Sequence, residues 1–259
     1  GERVFFDADD GVNGRQLWVS DATLNGTSPV DDSGNSISVS SSSKAVIWAQ
    51  GVAVKSGDDA LLWSDGYIVE SVFEHPSFTQ IQQQSLANET LGMTTFATEM
   101  LFSNSTHLWF SAKSENNIEP HLLTIDARLE SWDLHPTGAS QPNSPLVLEN
   151  GIVVAADGLD GRQLVRLFEQ GSHTWLTSLV HQGTGNPTTH IAEHLGIHQI
   201  GEVLVFDALT SGGVDPQVWA HNLTSGNTQI MSTSIVAPGD WAGGICLLYT
   251  SPSPRDLSE

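Results

Sequence analysis

Basic residues and cysteine are scarce in this 259-residue sequence. Nine Lys and Arg stand against 30 Asp and Glu, a net charge of −21, and there is one Cys. That balance excludes a nucleic-acid binder, because neutralising phosphates requires clustered Lys and Arg. With three lysines in the chain, an anionic membrane surface has little to attract. No apolar run reaches the ~18–20 residues that cross a bilayer as a helix, so no membrane insertion is expected in this segment. A single Cys forms no intrachain disulfide and no cysteine-built metal cluster. Helical patterning is weak as well. The most helix-like stretch, Gln80 to Leu91, carries no strong 3.6-residue apolar period.

What the sequence does have is repetition. Gly1-Glu2-Arg3-Val4-Phe5-Phe6, Gly51-Val52-Ala53-Val54, Gly151-Ile152-Val153-Val154 and Gly201-Glu202-Val203-Leu204-Val205-Phe206 align, and Ser105-Thr106-His107-Leu108-Trp109-Phe110 supplies a fifth copy. Units therefore start near 1, 51, 105, 151 and 201, a period of about 50 residues that matches one four-stranded propeller blade. Within each unit an apolar run is followed by a Gly/Asp/Asn turn and a second run. The second runs are Gln16-Leu17-Trp18-Val19, Leu61-Leu62-Trp63, His121-Leu122-Leu123, Gln163-Leu164-Val165 and Gln217-Val218-Trp219. Short runs rich in Val, Phe and Trp between turn residues read as strands. Asn150-Gly151, Gln50-Gly51 and Ile200-Gly201 mark tight hairpins, expected to join one unit to the next. The predicted fold is all-β, a β-propeller of about five four-stranded blades over residues 1–245, complete or part of a larger ring.

The stretch Phe5-Phe6-Asp7-Ala8-Asp9-Asp10-Gly11-Val12-Asn13-Gly14-Arg15-Gln16-Leu17-Trp18-Val19-Ser20-Asp21-Ala22-Thr23-Leu24-Asn25-Gly26-Thr27 resembles the ELWxxDGT repeat of bacterial and protist secreted proteins. It departs at Gln16, where that family prefers Glu, and at Ala22, where it prefers Gly. Later copies are looser: Gly161-Arg162-Gln163-Leu164, Leu62-Trp63-Ser64-Asp65-Gly66, and Trp219 with Gly226 and Thr228. The resemblance implies a propeller-like fold in a large extracellular or surface protein, and no established reaction. At the other end, Cys246-Leu247-Leu248-Tyr249-Thr250-Ser251-Pro252-Ser253-Pro254-Arg255-Asp256 resembles translated adapter sequence found at the ends of assembled transcripts. Residues 246–259 are accordingly expected to be a non-native, disordered tail, and the chain a fragment.

Three patterns are candidates for chemistry. The acidic turn Asp7-Ala8-Asp9-Asp10-Gly11-Val12-Asn13-Gly14 offers Asp7, Asp9 and Asn13 as oxygen ligands for calcium, which takes six to eight such donors. The competing reading is a solvated turn whose Asp and Asn side chains cap their own backbone. The turn at Asp157-Gly158-Leu159-Asp160-Gly161 repeats the acidity. His190-Ile191-Ala192-Glu193-His194 matches the H-x-x-E-H zinc-protease pattern, and His198 extends it. That chemistry needs both His on one helix face, whereas the repeat assigns the segment to a strand and hairpin. Sequons stand at Asn25, Asn88, Asn104 and Asn222, to be glycosylated only on a eukaryotic secretory route.

Trp18, Trp63, Trp109 and Trp219 sit inside the repeat and are expected to pack between strands, leaving Trp48, Trp132, Trp175 and Trp241 freer to face a ligand. No G-x-S-x-G elbow and no phosphate-binding glycine loop is present. These features together predict a monomeric, secreted or cell-surface binding or adhesion module, not an enzyme, with a glycan or extracellular protein as partner. The alternatives are a polysaccharide hydrolase or lyase working through carboxylates and a calcium-stabilised spacer.

Overall fold

The computed structural model describes residues 3–32, 35–39, 44–57, 60–104, 106–114, 117–135, 138, 140–148, 151–158, 161–170, 173–180, 191–192, 196–209 and 217–232. Two compact units emerge, one of residues 1–145 and 156–161, the other of residues 146–155 and 162–259. The tail at 246–259, with Cys246, lies outside the described residues, as does Trp241.

Unit 1 opens with a three-stranded sheet, β1 (Val4–Asp9), β2 (Arg15–Ser20) and β3 (Thr27–Pro29), followed by the short pair β4 (Asp31–Asp32) and β5 (Asn35–Ser36). A four-stranded sheet follows: β6 (Ala45–Trp48), β7 (Gly51–Ser56), β8 (Ala60–Ser64) and β9 (Val69–Ser71). A 3-10 turn (Val72–Glu74) and helix α1 (Gln80–Glu89) lead to the next sheet, β10 (Thr94–Ser103), β11 (His107–Ser114), β12 (Asn117–Thr124) and β13 (Leu129–Ser131). The same order recurs twice more along the chain, as β14 (Asn143–Leu148), β15 (Gly151–Gly158), β16 (Gly161–Gln170), β17 (His173–Val180), and as β18 (Ile197–Ile200), β19 (Val203–Ala208), β20 (Gln217–Asn222), β21 (Thr228–Ser232). Among the described residues every strand pairing is antiparallel, between strands that follow one another in sequence.

The glycine hairpins lie inside the sheets, which corrects the expectation that they join units. Trp48 pairs with Gly51 across Ala49-Gln50, and Ile200 with Val203 across Gly201-Glu202. The hydrogen-bonded sheets thus begin one strand ahead of the repeat glycines, at Ala45, Thr94, Asn143 and Ile197. The preceding strands are too irregular in sequence to betray this: β10 shifts register twice against β11.

Apolar runs without alternation are explained by burial on both faces. Val52 and Val54 of β7 pack with Leu17, Val19, Val30 and Ile37, while Ala53 packs with Leu61, Trp63, Phe73 and Phe110. The glycine at position 51 has a packing reason. A Cβ there would stand 2.3 Å from the Ser64 carbonyl oxygen and 2.7 Å from the Trp63 ring, closer than atoms tolerate. Gly151 meets the same barrier at Leu167 O, 2.1 Å away.

Helix α1 departs from the repeat and from the weak periodicity of its sequence. Its start is fixed locally: Thr79 Oγ1 accepts from the Gln82 N–H while Gln82 Oε1 accepts from the Thr79 N–H, a capping box. Leu86 is its one buried residue, so a single apolar contact replaces the stripe that a periodicity search seeks. No described helix is long and apolar enough to cross a membrane.

Candidate functional site

Turn chemistry organises one end of three of the sheets. After β8, Asp65 Oδ1 accepts from the Tyr67 and Ile68 N–H groups at 2.8 and 3.1 Å. Asp21 Oδ1 does the same for Thr23 N–H after β2, and Asn222 Oδ1 for Thr224 and Ser225 N–H after β20. The Asp of the repeat signature is therefore a turn-closing residue, since a short carboxylate or amide reaches its own backbone two residues on. The same end carries the hairpin Ala49-Gln50, whose residues both adopt positive φ, 50° and 63°. The Trp63 indole N–H donates to the Trp48 carbonyl at 3.1 Å and ties this hairpin to β8.

Two clefts flank that hairpin within unit 1. The larger, about 630 Å³, is lined among others by Arg3, Phe5, Gln50, Trp63, Asp65 and Tyr67. Its neighbour, about 600 Å³, is bounded by Ile47–Gln50 on one side and Ser103, Asn104 and Ile125 on the other. His75 lines both. Arg3 is held in place twice over: Nη1 donates to the Asp65 carbonyl at 2.7 Å, and the guanidinium stacks 3.7 Å above the Tyr67 ring. Tyr67 is nonetheless 71% exposed and Ile47 79% exposed. A Cβ on Gly66, whose φ is +95°, would crowd Arg3 Nη1 at 3.1 Å, so the Asp-Gly of the repeat also makes room for this arginine.

His75 is 6% exposed and sits edge-on to Trp63 and Trp48, at 4.4 and 5.3 Å between centroids. Its Nδ1 accepts from the Ser77 N–H at 3.2 Å and lies 2.6 Å from Ser77 Oγ. This assigns the proton to Nε2, on the side of Ala49. Burial holds its pKa below the usual histidine value, so the ring is neutral at pH 7.

The sequence-derived candidates fare differently. Asp7 and Asp9 stand on the last residues of β1 and Asn13 in the turn that follows, all three exposed and each with one partner. Asp7 pairs with Arg15, Asp9 Oδ1 accepts from Gly11 N–H, and Asn13 Nδ2 donates to Asp10 Oδ2. Asp10, which the calcium reading passed over, closes the turn by accepting from Val12 and Asn13 N–H. The Asn13 and Val12 bonds hold its carboxyl below the usual range. Among the described residues no group of three or more His, Cys, Asp or Glu is placed to hold a metal ion. His190, Glu193 and His194 lie outside the described residues. His198 is on strand β18, paired opposite Val205.

Asn25 and Asn88 are exposed, in the β2–β3 turn and on α1. Asn104 is exposed at the rim of the smaller cleft, its Oδ1 accepting from Thr106 and His107 N–H. Asn222 is half-buried.

Trp48, one of the four tryptophans outside the repeat core and expected to be freer to face a ligand, is fully buried, because the first strand of its hairpin folds into the core. Trp132 is half-buried and stacks on Trp109 at 6.0 Å; Trp175 lies on β17. The residues that line the larger cleft (Arg3, Gln50, Tyr67, His75) are unmarked in sequence, since the contact that groups them joins segments 62 residues apart.

No family model matches the chain, and no curated protein sequence matches it. Solved structures do. An oligogalacturonate lyase in complex with manganese superposes with a TM-score of 0.50 at 10% identity, over 90% of this chain and 62% of that one. The oligogalacturonate lyase of Vibrio parahaemolyticus gives 0.48 at 14% identity over 89% and 62%, and TolB from Acinetobacter baumannii 0.42 at 12% over 90% and 54%. The chain thus spans about three fifths of the length of these structures. At such identity the likeness speaks of fold: the chain is an all-β protein of the β-propeller class.

Proposed function

We propose that this chain is a ligand-binding module of a secreted or cell-surface protein, and that its ligand docks at the two clefts beside the Ile47–Gly51 hairpin. The observation that carries this reading is the cleft lined by Arg3, Tyr67 and Trp63. It combines ring faces with a few convergent polar groups, the composition of small-ligand sites. Exposed Tyr67 under a fixed Arg3 is also the pairing found at energetic centres of interfaces. Extracellular placement is supported by the signature at 5–27 and by the acidic, lysine-poor composition.

The hydrolase or lyase reading has less behind it. Glycoside hydrolysis by the usual route needs two carboxyl groups facing each other across the bond to be broken. Among the described residues the larger cleft presents one carboxylate, Asp65, and the smaller one none. Glu119 is a buried carboxyl whose pKa is raised by desolvation, yet it is sealed by Leu134 N–H and Ser140 Oγ and lines neither cleft. The manganese-bound lyase shares the fold, not a demonstrated site.

The test is retention of the full chain on surfaces coated with polysaccharides or extracellular-matrix proteins, compared with Tyr67→Ala and Ile47→Asp. Both residues are exposed enough for these changes to spare the fold. Retention lost in the variants, with no sugar released, is the expected result. Equal retention of all three proteins would place the ligand elsewhere.

A further inference from the structure

Resting on that reading, we infer that the larger cleft takes a neutral sugar, a pyranose presenting adjacent hydroxyl groups, and not an acidic polysaccharide. The inference follows from which hydrogen-bonding groups remain unused. Asp65 spends Oδ1 on the Tyr67 and Ile68 N–H groups, and Oδ2 has no partner among the described residues. Arg3 spends Nη1 on the Asp65 carbonyl, leaving Nε and Nη2 as donors. The cleft therefore pairs a fixed acceptor with fixed donors, and a hydroxyl is the group that both gives and takes a hydrogen bond. Adjacent hydroxyls on one ring satisfy Arg3 and Asp65 together, while the C–H face of the ring lies against the aromatic side chains of Phe5, Trp63 or Tyr67.

Charge decides against the two ionic alternatives. At physiological ionic strength fields decay over about 8 Å, so the groups nearest the cleft dominate. Among the lining residues these are Arg3 and Asp65, one positive and one negative charge that balance. A polyanion therefore finds no net positive charge in the cleft to offset the chain's −21. A cation is opposed by Arg3, which already occupies one face of Tyr67. At about 630 Å³ the volume lies within the ~300–1,000 Å³ usual for small-ligand sites, room for the end of an oligosaccharide.

The test uses the full chain on an array of neutral, uronate-containing and sulfated oligosaccharides, with Tyr67→Ala, Arg3→Lys and Asp65→Asn alongside. Asparagine keeps the Oδ1 that closes the turn and replaces the free acceptor by a donor. Lysine keeps the charge but not the planar fork. Binding confined to neutral glycans and weakened about tenfold or more by each of Arg3→Lys and Asp65→Asn is expected, the size of one lost hydrogen bond to a charged group. Binding to acidic glycans only, abolished by Tyr67→Ala, overturns the neutral class and leaves the cleft as the site. Glycan binding unaffected by Tyr67→Ala, or no glycan bound at all, overturns this inference, and retention on a protein surface would then identify the partner as protein.

Discussion

At the scale of single residues, equivalent positions in the repeat carry different loads. Val4-Phe5-Phe6-Asp7-Ala8 matches Leu204-Val205-Phe206-Asp207-Ala208, and in both sheets the Phe before the Asp pairs with a Trp across the ladder, Phe6 with Trp18 and Phe206 with Trp219. Phe206 is fully buried against Val153, Ala155 and Leu164, whereas Phe6 is 37% exposed and Val4 62%. Truncating Phe206 to Ala should cost about 3–5 kcal/mol, the penalty of a core cavity. Phe6→Ala should cost about 1 kcal/mol, and chemical denaturation separates the two. A similar contrast holds for the glycines. Gly51→Ala drives a Cβ into Ser64 O and should destabilise by several kcal/mol, while Gly201→Ala meets no atom and pays only for its φ of +58°, about 1 kcal/mol.

At the scale of elements, the Ala49-Gln50 hairpin bears backbone strain at the mouth of both clefts. Two-residue hairpins with both φ positive favour Asn-Gly, for which that geometry costs little. Replacing Ala49-Gln50 by Asn-Gly should raise stability by about 1 kcal/mol, seen as a higher melting temperature. If the natural residues are kept for ligand contact, retention on the ligand falls in the same variant. Removing the cap of α1 by Thr79→Ala should lower stability by about 1 kcal/mol. The helix illustrates how legible elements are in sequence. Its capping box is a readable four-residue signal, Thr79 to Gln82, but ten residues with one buried contact leave no periodicity. Strands β7, β11, β15 and β19 were readable because burial on both faces makes each a continuous apolar run.

At the scale of the whole molecule, titration links the buried histidines to stability. His121 is 2% exposed, stacked on Phe110, and burial lowers its pKa to about 4; burial also lowers His75 and His221. Each binds its proton more readily unfolded, near pH 6.5, than folded. The stability they permit is therefore intact above about pH 6.5 and lost as the pH falls towards the folded values. For His121 the drop between pH 6.5 and 4 reaches about 3 kcal/mol. Glu119, whose pKa is raised by desolvation, acts in the opposite direction as it takes up a proton. Melting curves from pH 7 to 4 should show a falling melting temperature, and His121→Phe should flatten the slope. Millimolar calcium should leave the melting temperature unchanged, because Asp7 pairs with Arg15 while Asp9 and Asp10 accept from backbone N–H groups. A rise abolished by Asp7→Asn and Asp9→Asn would restore the calcium site.

Fold class is legible in the linear order alone. Apolar runs, turn residues and a 50-residue period are local properties, and sheets built from neighbouring strands need nothing else. The turn role of Asp65 and Asp21 is equally local, since each carboxylate accepts from an N–H two residues on in its own segment. Where a sheet begins, which tryptophans are buried, and that Arg3 lies over Tyr67 beside the Asp65 carbonyl emerge only once the chain is folded. Those facts depend on the packing of one sheet against the next, and residues about sixty positions apart leave no mark on each other in the linear order.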